Sequence, residues 1–228
     1  MSIREEAKQK RRRKIVRAAR ALVKQTGDTG FSMRALADQA RVSIATPYNL
    51  FGSKQAVMFA VLDDDLESYQ NRLAKLRADE IEVFFKAVSL AASLYSTEPT
   101  FYRAVLFAVY NDGGREYRAM FGGPRHAMWK GMVQSAIGAG LLSSDLEPDA
   151  FAINLGRTFF SVIMEWVSGQ VSLPELEAWV HYGWALSLLS MSTPASSARL
   201  RTKAVQSQKR IQQLWKKRLA QLKAECEQ

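Results

Sequence analysis

The segment Arg41–Lys54, RVSIATPYNLFGSK, constrains the fold more than any other part of this chain. It stands between two helical patterns and looks helical itself, yet it has a proline at position 47. A proline in the first turn of a helix loses no intrahelical hydrogen bond, whereas one farther in breaks the helix. The segment therefore predicts a very short helix whose first turn contains Pro47, whether Ser43 caps that helix or the helix begins near Thr46. Since the residue before a proline is pushed out of helical geometry, we expect an irregular lead-in over residues 44–46.

Charge is distributed unevenly along the 228 residues. The formal net charge is +10. Residues 1–56 have a net charge of +9, residues 57–195 of −6 and residues 196–228 of +7. An acidic body between two basic ends predicts that the ends bind a polyanion, for which nucleic acid and an anionic membrane surface are both suitable.

Several classes of protein are disfavoured by composition. The chain has one cysteine, Cys226, so we expect no intrachain disulfide and a reducing compartment. No spacing of cysteine and histidine indicates a metal site, and no Gly-rich loop or nucleophile motif indicates a cofactor or an enzyme. The most apolar run, residues 151–167, contains two charges and is shorter than the ~20 residues that span a bilayer. We expect a soluble, cytoplasmic protein.

Apolar residues recur at helical spacing almost throughout, which predicts an all-α fold. A first helix is expected from Arg11, with Gly27 as its stop, and a second after Ser32 as N-cap. Three domains are predicted: residues 1–56 as a DNA-binding domain with a basic N-terminal arm, 57–192 as a helical body and 193–228 as a linker with a basic amphipathic helix.

A short turn through Arg41 and Val42 joins two short helices, which is typical of a helix-turn-helix. The sequences FSMRALADQARVS and TPYNLFGSK, with a basic helix ahead of them, resemble the DNA-binding domain of the TetR/AcrR family of transcriptional regulators. The resemblance covers residues 10–60. It implies a three-helix DNA-binding domain followed by a larger helical domain for ligand binding and dimerisation. One departure is Arg41, which stands where glycine is common in the family's turn. A left-handed backbone at this position would be costly for an arginine.

The resemblance implies a set of DNA-facing residues, to which we add part of the basic run KQKRRRK. The full set is Arg34, Ile44, Ala45, Thr46, Tyr48, Asn49, Lys54, Arg11, Arg12 and Arg13. Lys54 and Tyr48 are suited to phosphates, whereas Asn49 and Arg34 are suited to adenine and guanine edges. Two alternatives stay open, namely that Tyr48 packs in the core and that Lys54 is merely solvated.

The helices predicted after Pro148 and after Pro174 are apolar on more than one side, which indicates burial against a second copy. The predicted dimer interface consists of Phe151, Leu155, Phe159, Ile163, Trp166, Trp179, Trp184 and Leu188. The alternative is that they are core helices of one chain. The resemblance also implies a pocket for an apolar or aromatic effector, with candidates Tyr102, Phe107, Asn111, His126, Trp129, Phe159 and Met164.

The sequence therefore predicts a homodimeric repressor that binds a palindromic DNA operator and is released by a small effector. The principal alternative is a DNA-binding protein of the same fold that acts through a protein partner, as a nucleoid or division factor. An enzyme and a membrane-surface protein are further alternatives. For the basic C-terminal helix, three roles stay open: contact with flanking DNA, packing on the body, or disorder when alone.

Overall fold

The computed structural model describes residues 2–110 and 123–226, and these ranges are almost entirely helical. One isolated antiparallel bridge joins Leu142 to Ser192. The predicted all-α class is confirmed. The described helices are α1 (Ile3–Thr26), α2 (Met33–Gln39), α3 (Ala45–Phe51), α4 (Lys54–Ala74), α5 (Glu82–Thr97), α6 (Pro99–Tyr110), α7 (Pro124–Gly138), α8 (Pro148–Val167), α9 (Leu173–Ser190) and α10 (Pro194–Cys226).

The described residues fall into two compact units that are not contiguous in sequence. The first contains residues 2–72 and 97–110, and the second contains residues 73–96 and 123–226. The functional domains inferred from the sequence stay a prediction, and their boundary at residue 56 falls inside α4.

In the first unit, α1 begins well before Arg11, so the predicted N-terminal arm is wrong: the basic run is helical. The Ser2 side chain accepts from Glu5 N, and Glu5 and Glu6 place negative charge in the first turn, where the helix dipole favours it. The helix ends as predicted at Gly27, which has a φ of 75°.

A half-buried polar cluster joins three helices of this unit. Arg20 on α1 donates to Asp65 on α4 at 2.8 Å, and the Tyr102 hydroxyl on α6 donates to the same carboxylate at 3.1 Å. Burial alone would lower the pKa of Arg20, but Asp65 outweighs it and the pKa is raised. Burial, together with the same carboxylate, raises the pKa of Tyr102 well above its ordinary value. The cluster therefore holds α1 against α4 and α6, with Arg20 charged and the Tyr102 hydroxyl protonated.

In the second unit, α8 and α9 cross closely at Gly183. A Cβ placed on Gly183 would lie 2.8 Å from Thr158 Cγ2, so glycine is what permits this approach. Near this crossing, the buried indole of Trp184 on α9 donates to the Leu155 carbonyl of α8 at 2.9 Å. Rings of Phe84 and Trp129 pack edge-on against Trp184, with centroids at 6.2 and 5.0 Å.

The basic C-terminal helix α10 packs along α9, the second of its three predicted alternatives. Leu200, Ala204 and Ser207 are buried there. Ion pairs reinforce the packing, because Arg199 contacts Asp79 at 2.6 Å and Arg218 lies 3.6 Å from Glu175. Helix α10 is therefore an ordered part of the second unit.

Within residues 2–110 and 123–226, none of the helices combines the length and the apolar character that crossing a membrane requires.

Candidate nucleic-acid interface

Helix α3 and its N-cap expose most of the residues that are predicted to face DNA. Ile44 and Tyr48 are 47% and 50% exposed, and Ala45 and Asn49 are exposed as well. Pro47 is buried and turned away from that face. The exposure of Tyr48 disfavours the alternative that it is a core aromatic.

Pro47 stands in the first turn of α3, as the sequence indicates, but the expected irregular lead-in does not form. Ala45 and Thr46 are helical and Ile44 has φ −58° and ψ −29°. Thr46 N donates to the Ser43 carbonyl at 2.9 Å, and the Ser43 and Thr46 hydroxyls are also 2.9 Å apart. These two interactions offset the steric preference of the residue before proline, so the reading helix is regular from its first turn.

The turn before α3 has the strained geometry that the sequence suggested. Arg41 has a φ of 49°, the left-handed region. Its N–H donates to the Asp38 carbonyl at 2.9 Å, and the Val42 N–H donates to the Ala37 carbonyl at 3.0 Å. This pair of bonds is the Schellman motif, whose left-handed position is usually glycine. The hydrogen bonds hold the arginine there, with its side chain exposed.

Helix α2 supports α3 and contributes one exposed candidate. Ser32 caps α2 as predicted, accepting from Ala35 N at 3.1 Å. Met33, Leu36 and Ala37 are buried, whereas Arg34 is exposed. Arg34 is therefore available to a ligand outside the chain.

Two of the predicted DNA-binding cations are already engaged within the chain. Arg12 Nη1 donates to the Leu50 carbonyl at 2.5 Å, and its guanidinium lies over the Phe51 ring. Lys54 Nζ donates to the Thr29 carbonyl at 2.8 Å. Arg12 thus supports the end of α3 and Lys54 supports the loop before α2, which the sequence did not reveal. Each is a positioning residue in the chain without DNA.

A stripe of cations, most of them missing from the predicted set, runs along the exposed side of α1. Lys10, Arg13, Lys14 and Arg17 line a groove of about 840 Å³ together with Glu6 and Gln9. Arg11 is also exposed. Of the four cations, only Arg13 is in the predicted set; Lys10 and Lys14 belong to the basic run KQKRRRK from which that set was taken, and Arg17 lies outside it. Extending the helical period through the basic run, instead of treating the run as an arm, would have identified the others.

The predicted effector residues are divided between the two units. Tyr102 and Phe107 belong to the first unit, where Tyr102 is buried beside Asp65 and Phe107 is 51% exposed. Asn111 lies outside the described residues. The remaining four residues belong to the second unit, and Met164 is half-buried there.

In the second unit, Trp129 and Phe159 lie with ring centroids 6.0 Å apart, next to Trp184. His126 Nε2 is 2.9 Å from Asp149 Oδ1, and Lys130 Nζ is 2.5 Å from Asp149 Oδ2. The hydrogen bonds from Lys130 and then from His126 lower the pKa of Asp149. Aromatic rings and a charged cluster therefore both occur near α7.

Six of the eight predicted dimer residues are buried within the single chain, which corrects that prediction for them: Phe151, Leu155, Ile163, Trp166, Trp184 and Leu188. They form the core between α8, α9 and their neighbours because both helices are covered on several sides. Phe159 is half-buried and Trp179 is 36% exposed. The outward face of α9 consists instead of Trp179, Tyr182 and Leu186, at positions that share one side of the helix.

The chain matches known proteins over both its N-terminal domain and its fold. Residues 15–61 match the family described as bacterial regulatory proteins, tetR family. An uncharacterized HTH-type transcriptional regulator, YdeS from Bacillus subtilis (strain 168), is 29% identical over 137 residues, which cover 58% of this chain and 68% of that protein.

Solved structures extend the match beyond the N-terminal domain. The TetR-family repressor FadR of Thermus thermophilus, in complex with lauroyl-CoA, is similar with a TM-score of 0.68 and 20% identity, covering 80% of this chain and 95% of FadR. RolR, in complex with resorcinol, is similar with a TM-score of 0.65 and 17% identity, covering 88% of this chain and 95% of RolR. Residues 15–61 therefore match the tetR family of bacterial regulatory proteins, and the fold is similar to that of FadR, a TetR-family repressor.

Proposed function

We propose that this protein is a DNA-binding transcriptional regulator of the TetR family, namely a homodimeric repressor that binds a palindromic operator through α3 and is released by a small apolar or aromatic effector. The exposure of Ala45, Tyr48 and Asn49 on α3, together with that of its N-cap Ile44, carries the proposal. Ile44, the N-cap of α3, and Tyr48 within it leave about half of their apolar surface exposed side by side. A DNA surface would cover them.

Each element of the interface has a distinct proposed role. Asn49 accepts and donates to an adenine edge, and Arg34 binds a guanine edge; Ala45 or Thr46 contacts a thymine methyl. Tyr48 donates to a phosphate and so positions the domain without reading sequence. Ile44 covers apolar groove surface.

Cations on α1 supply the salt-dependent part of the affinity. Arg11, Arg13 and the neighbouring Lys10 and Arg17 are exposed, and we assign them to backbone phosphates. Lys54 has three N–H donors, and only some of them are directed to the carbonyls of the loop before α2. We assign a remaining one to a phosphate beside the first turn of α4.

We propose that two copies associate through the outward face of α9, formed by Trp179, Tyr182 and Leu186, and the neighbouring exposed part of α8. Large apolar side chains that share one exposed side of a helix are typical of a subunit interface. Twofold symmetry would then place two α3 helices about 34 to 36 Å apart, in successive major grooves.

The effector is proposed to bind in the second unit, near Trp129, Phe159 and Met164. FadR and RolR, which have this fold, were solved with lauroyl-CoA and resorcinol, ligands with an acyl chain and an aromatic ring. An effector releases DNA only if it binds more tightly to the conformation that DNA disfavours. His126 and Lys130, which both contact Asp149, lie on the same helix as Trp129 and are the proposed polar partners of the effector.

The test starts by selecting the preferred duplex from random DNA and measuring affinity by fluorescence anisotropy. We expect a palindrome, and a duplex with one half-site should bind far more weakly at equal salt. Asn49→Ala should cost about 1 to 3 kcal/mol at a single base position. The matched control is Asn71→Ala, an exposed asparagine on α4. Selection of no consensus, or a monomer by light scattering with full DNA affinity, would refute the proposal.

A further inference from the structure

We propose that a groove between α9 and α10 is a binding site for a small organic monoanion with a carboxylate group. The cavity has a volume of about 260 Å³ and lies entirely within the second unit. Glu177 and His181 of α9 and Lys203 and Arg210 of α10 provide its charged and titratable lining. The site is distinct from the aromatic group at Trp129 and Phe159, and it does not depend on the proposed function.

The charges of the lining favour a single negative charge. Lys203 and Arg210 are cationic and Glu177 is anionic, which leaves one net positive charge. The Glu177 carboxylate accepts a hydrogen bond from the Ser89 hydroxyl, so this acid is held by the protein itself. Lys203 Nζ lies 3.8 Å from Glu82 and 4.6 Å from the centroid of the Phe85 ring. These two contacts offset part of the positive charge of Lys203.

Arg210 is the principal anchor for the carboxylate. It is exposed at the mouth of the groove and makes no ion pair with any residue in the described ranges. A guanidinium binds a carboxylate through two parallel hydrogen bonds, and Lys203 can neutralise the same anion from the side. Both cations project from one face of α10, seven residues apart.

His181 adds a hydrogen-bond acceptor to the lining and no charge. Its Nε2 lies 2.9 Å from the Phe85 carbonyl oxygen, which can only accept, so Nε2 carries the proton and Nδ1 is the acceptor. Burial lowers the pKa of His181, although the Phe85 carbonyl and Glu177 oppose that effect. A ligand hydroxyl or N–H would therefore satisfy Nδ1, and the buried Ser207 offers a further hydroxyl.

The size of the cavity limits the ligand to one ring or a short chain. The volume corresponds to roughly eight or nine water molecules at about 30 Å³ each and is below the usual range for drug-sized ligands. Pro174 and Ala178 supply an apolar wall. An aromatic hydroxy acid has the carboxylate, the donor and the flat apolar body that these residues accommodate.

The experiment compares benzoate with benzamide, which have the same shape but differ in charge. Each is titrated into the full chain while the amide resonances are followed by NMR. We expect benzoate to shift resonances of α9 and α10 saturably, and benzamide to bind more weakly by about fivefold or more. Arg210→Gln should weaken benzoate by a similar factor. Lys217→Gln, which removes a cation one heptad farther along the same exposed helix, should have little effect.

Three results would overturn the site. They are the absence of saturable shifts with benzoate, equal affinity for benzamide, and equal weakening by the two substitutions, which would indicate attraction to the basic helix as a whole. The comparison of the two probes needs no variant, so it remains decisive if Arg210→Gln disturbs α10. Loss of DNA binding by itself has no bearing on these readouts, so the two proposals fail independently.

Discussion

The guanidinium of Arg12 lies 4.2 Å from the centroid of the Phe51 ring. Arg12 also donates to the carbonyl of Leu50. One side chain of α1 thus covers the last turn of α3, whose carbonyls have no partners within the helix and favour a positive charge.

Arg12→Gln should lower the free energy of unfolding by about 1 to 3 kcal/mol, because it removes a charged hydrogen bond and a cation–π contact. Arg13→Gln is the matched control on the adjacent exposed position and should change it by less than about 0.5 kcal/mol. Urea denaturation measures both. Equal effects would mean that Arg12 does not support α3. DNA binding should respond to Arg13→Gln, which should lower the dependence of log affinity on log salt concentration by about one.

The Arg41→Gly variant should be more stable than the Arg41→Ala variant, with a free energy of unfolding higher by about 1 kcal/mol. Both substitutions remove the charge, but only glycine relieves the left-handed backbone at φ 49°. Thermal unfolding of the two variants, compared with each other, isolates the backbone effect. If alanine were as stable as glycine, the turn would not be strained at this residue.

Gly183→Ala should destabilise the protein by about 1 to 2 kcal/mol, because the new methyl group would overlap Thr158 Cγ2. Gly131→Ala is the control: it lies within α7 with open space around it, and should stabilise by up to about 1 kcal/mol through helix propensity. Thr158→Ser removes the clashing methyl and keeps the hydroxyl, which donates to the Asn154 carbonyl. The double variant with Thr158→Ser should therefore recover stability. If it does not, steric overlap is not the cause.

Stability should fall as the pH decreases below about 6.5 because of His181. Burial lowers the pKa of this imidazole in the folded chain, so the unfolded chain binds more protons in that window. Glu177 and Glu82 attract the proton and Lys203 repels it. The contribution of His181 is fully present above the unfolded pKa and is lost as the pH falls.

His181→Gln keeps a donor for the Phe85 carbonyl and does not titrate. The difference in unfolding free energy between this variant and the parent should change between about pH 7 and 5. The carboxylates of Asp79 and Asp149, whose pKa values are lowered, titrate below that window. A constant difference would contradict the prediction.

Local signals in the sequence predicted local structure well. Ser32 as a cap, Gly27 as a stop and Pro47 in the first turn of α3 depend on the backbone within a few residues, and each is found. The regular geometry of Thr46 was missed because it requires the hydroxyl contact with Ser43, which the preference of a residue before proline does not include.

Contacts between distant residues were not predictable in the same way. Arg12 was predicted to contact DNA because of its charge and Lys54 because of the family resemblance, and nothing in the sequence indicates that carbonyls of Leu50 and Thr29 lie beside them. Likewise, apolar residues such as Trp184 and Leu188 indicate burial, but they do not indicate which helix covers them. Periodicity cannot distinguish a neighbouring helix of the same chain from a second copy.

The contacts of Asp65 also limit how this protein can be divided. Arg20, Asp65 and Tyr102 come from α1, α4 and α6, so the unit that holds the reading helix is completed by residues from beyond position 96. A fragment ending shortly after the helix-turn-helix would expose an unpaired arginine and the apolar side of α1. Experiments on DNA recognition therefore require the intact polypeptide. Failure of an isolated N-terminal fragment to bind DNA would not show that α3 lacks a role in binding.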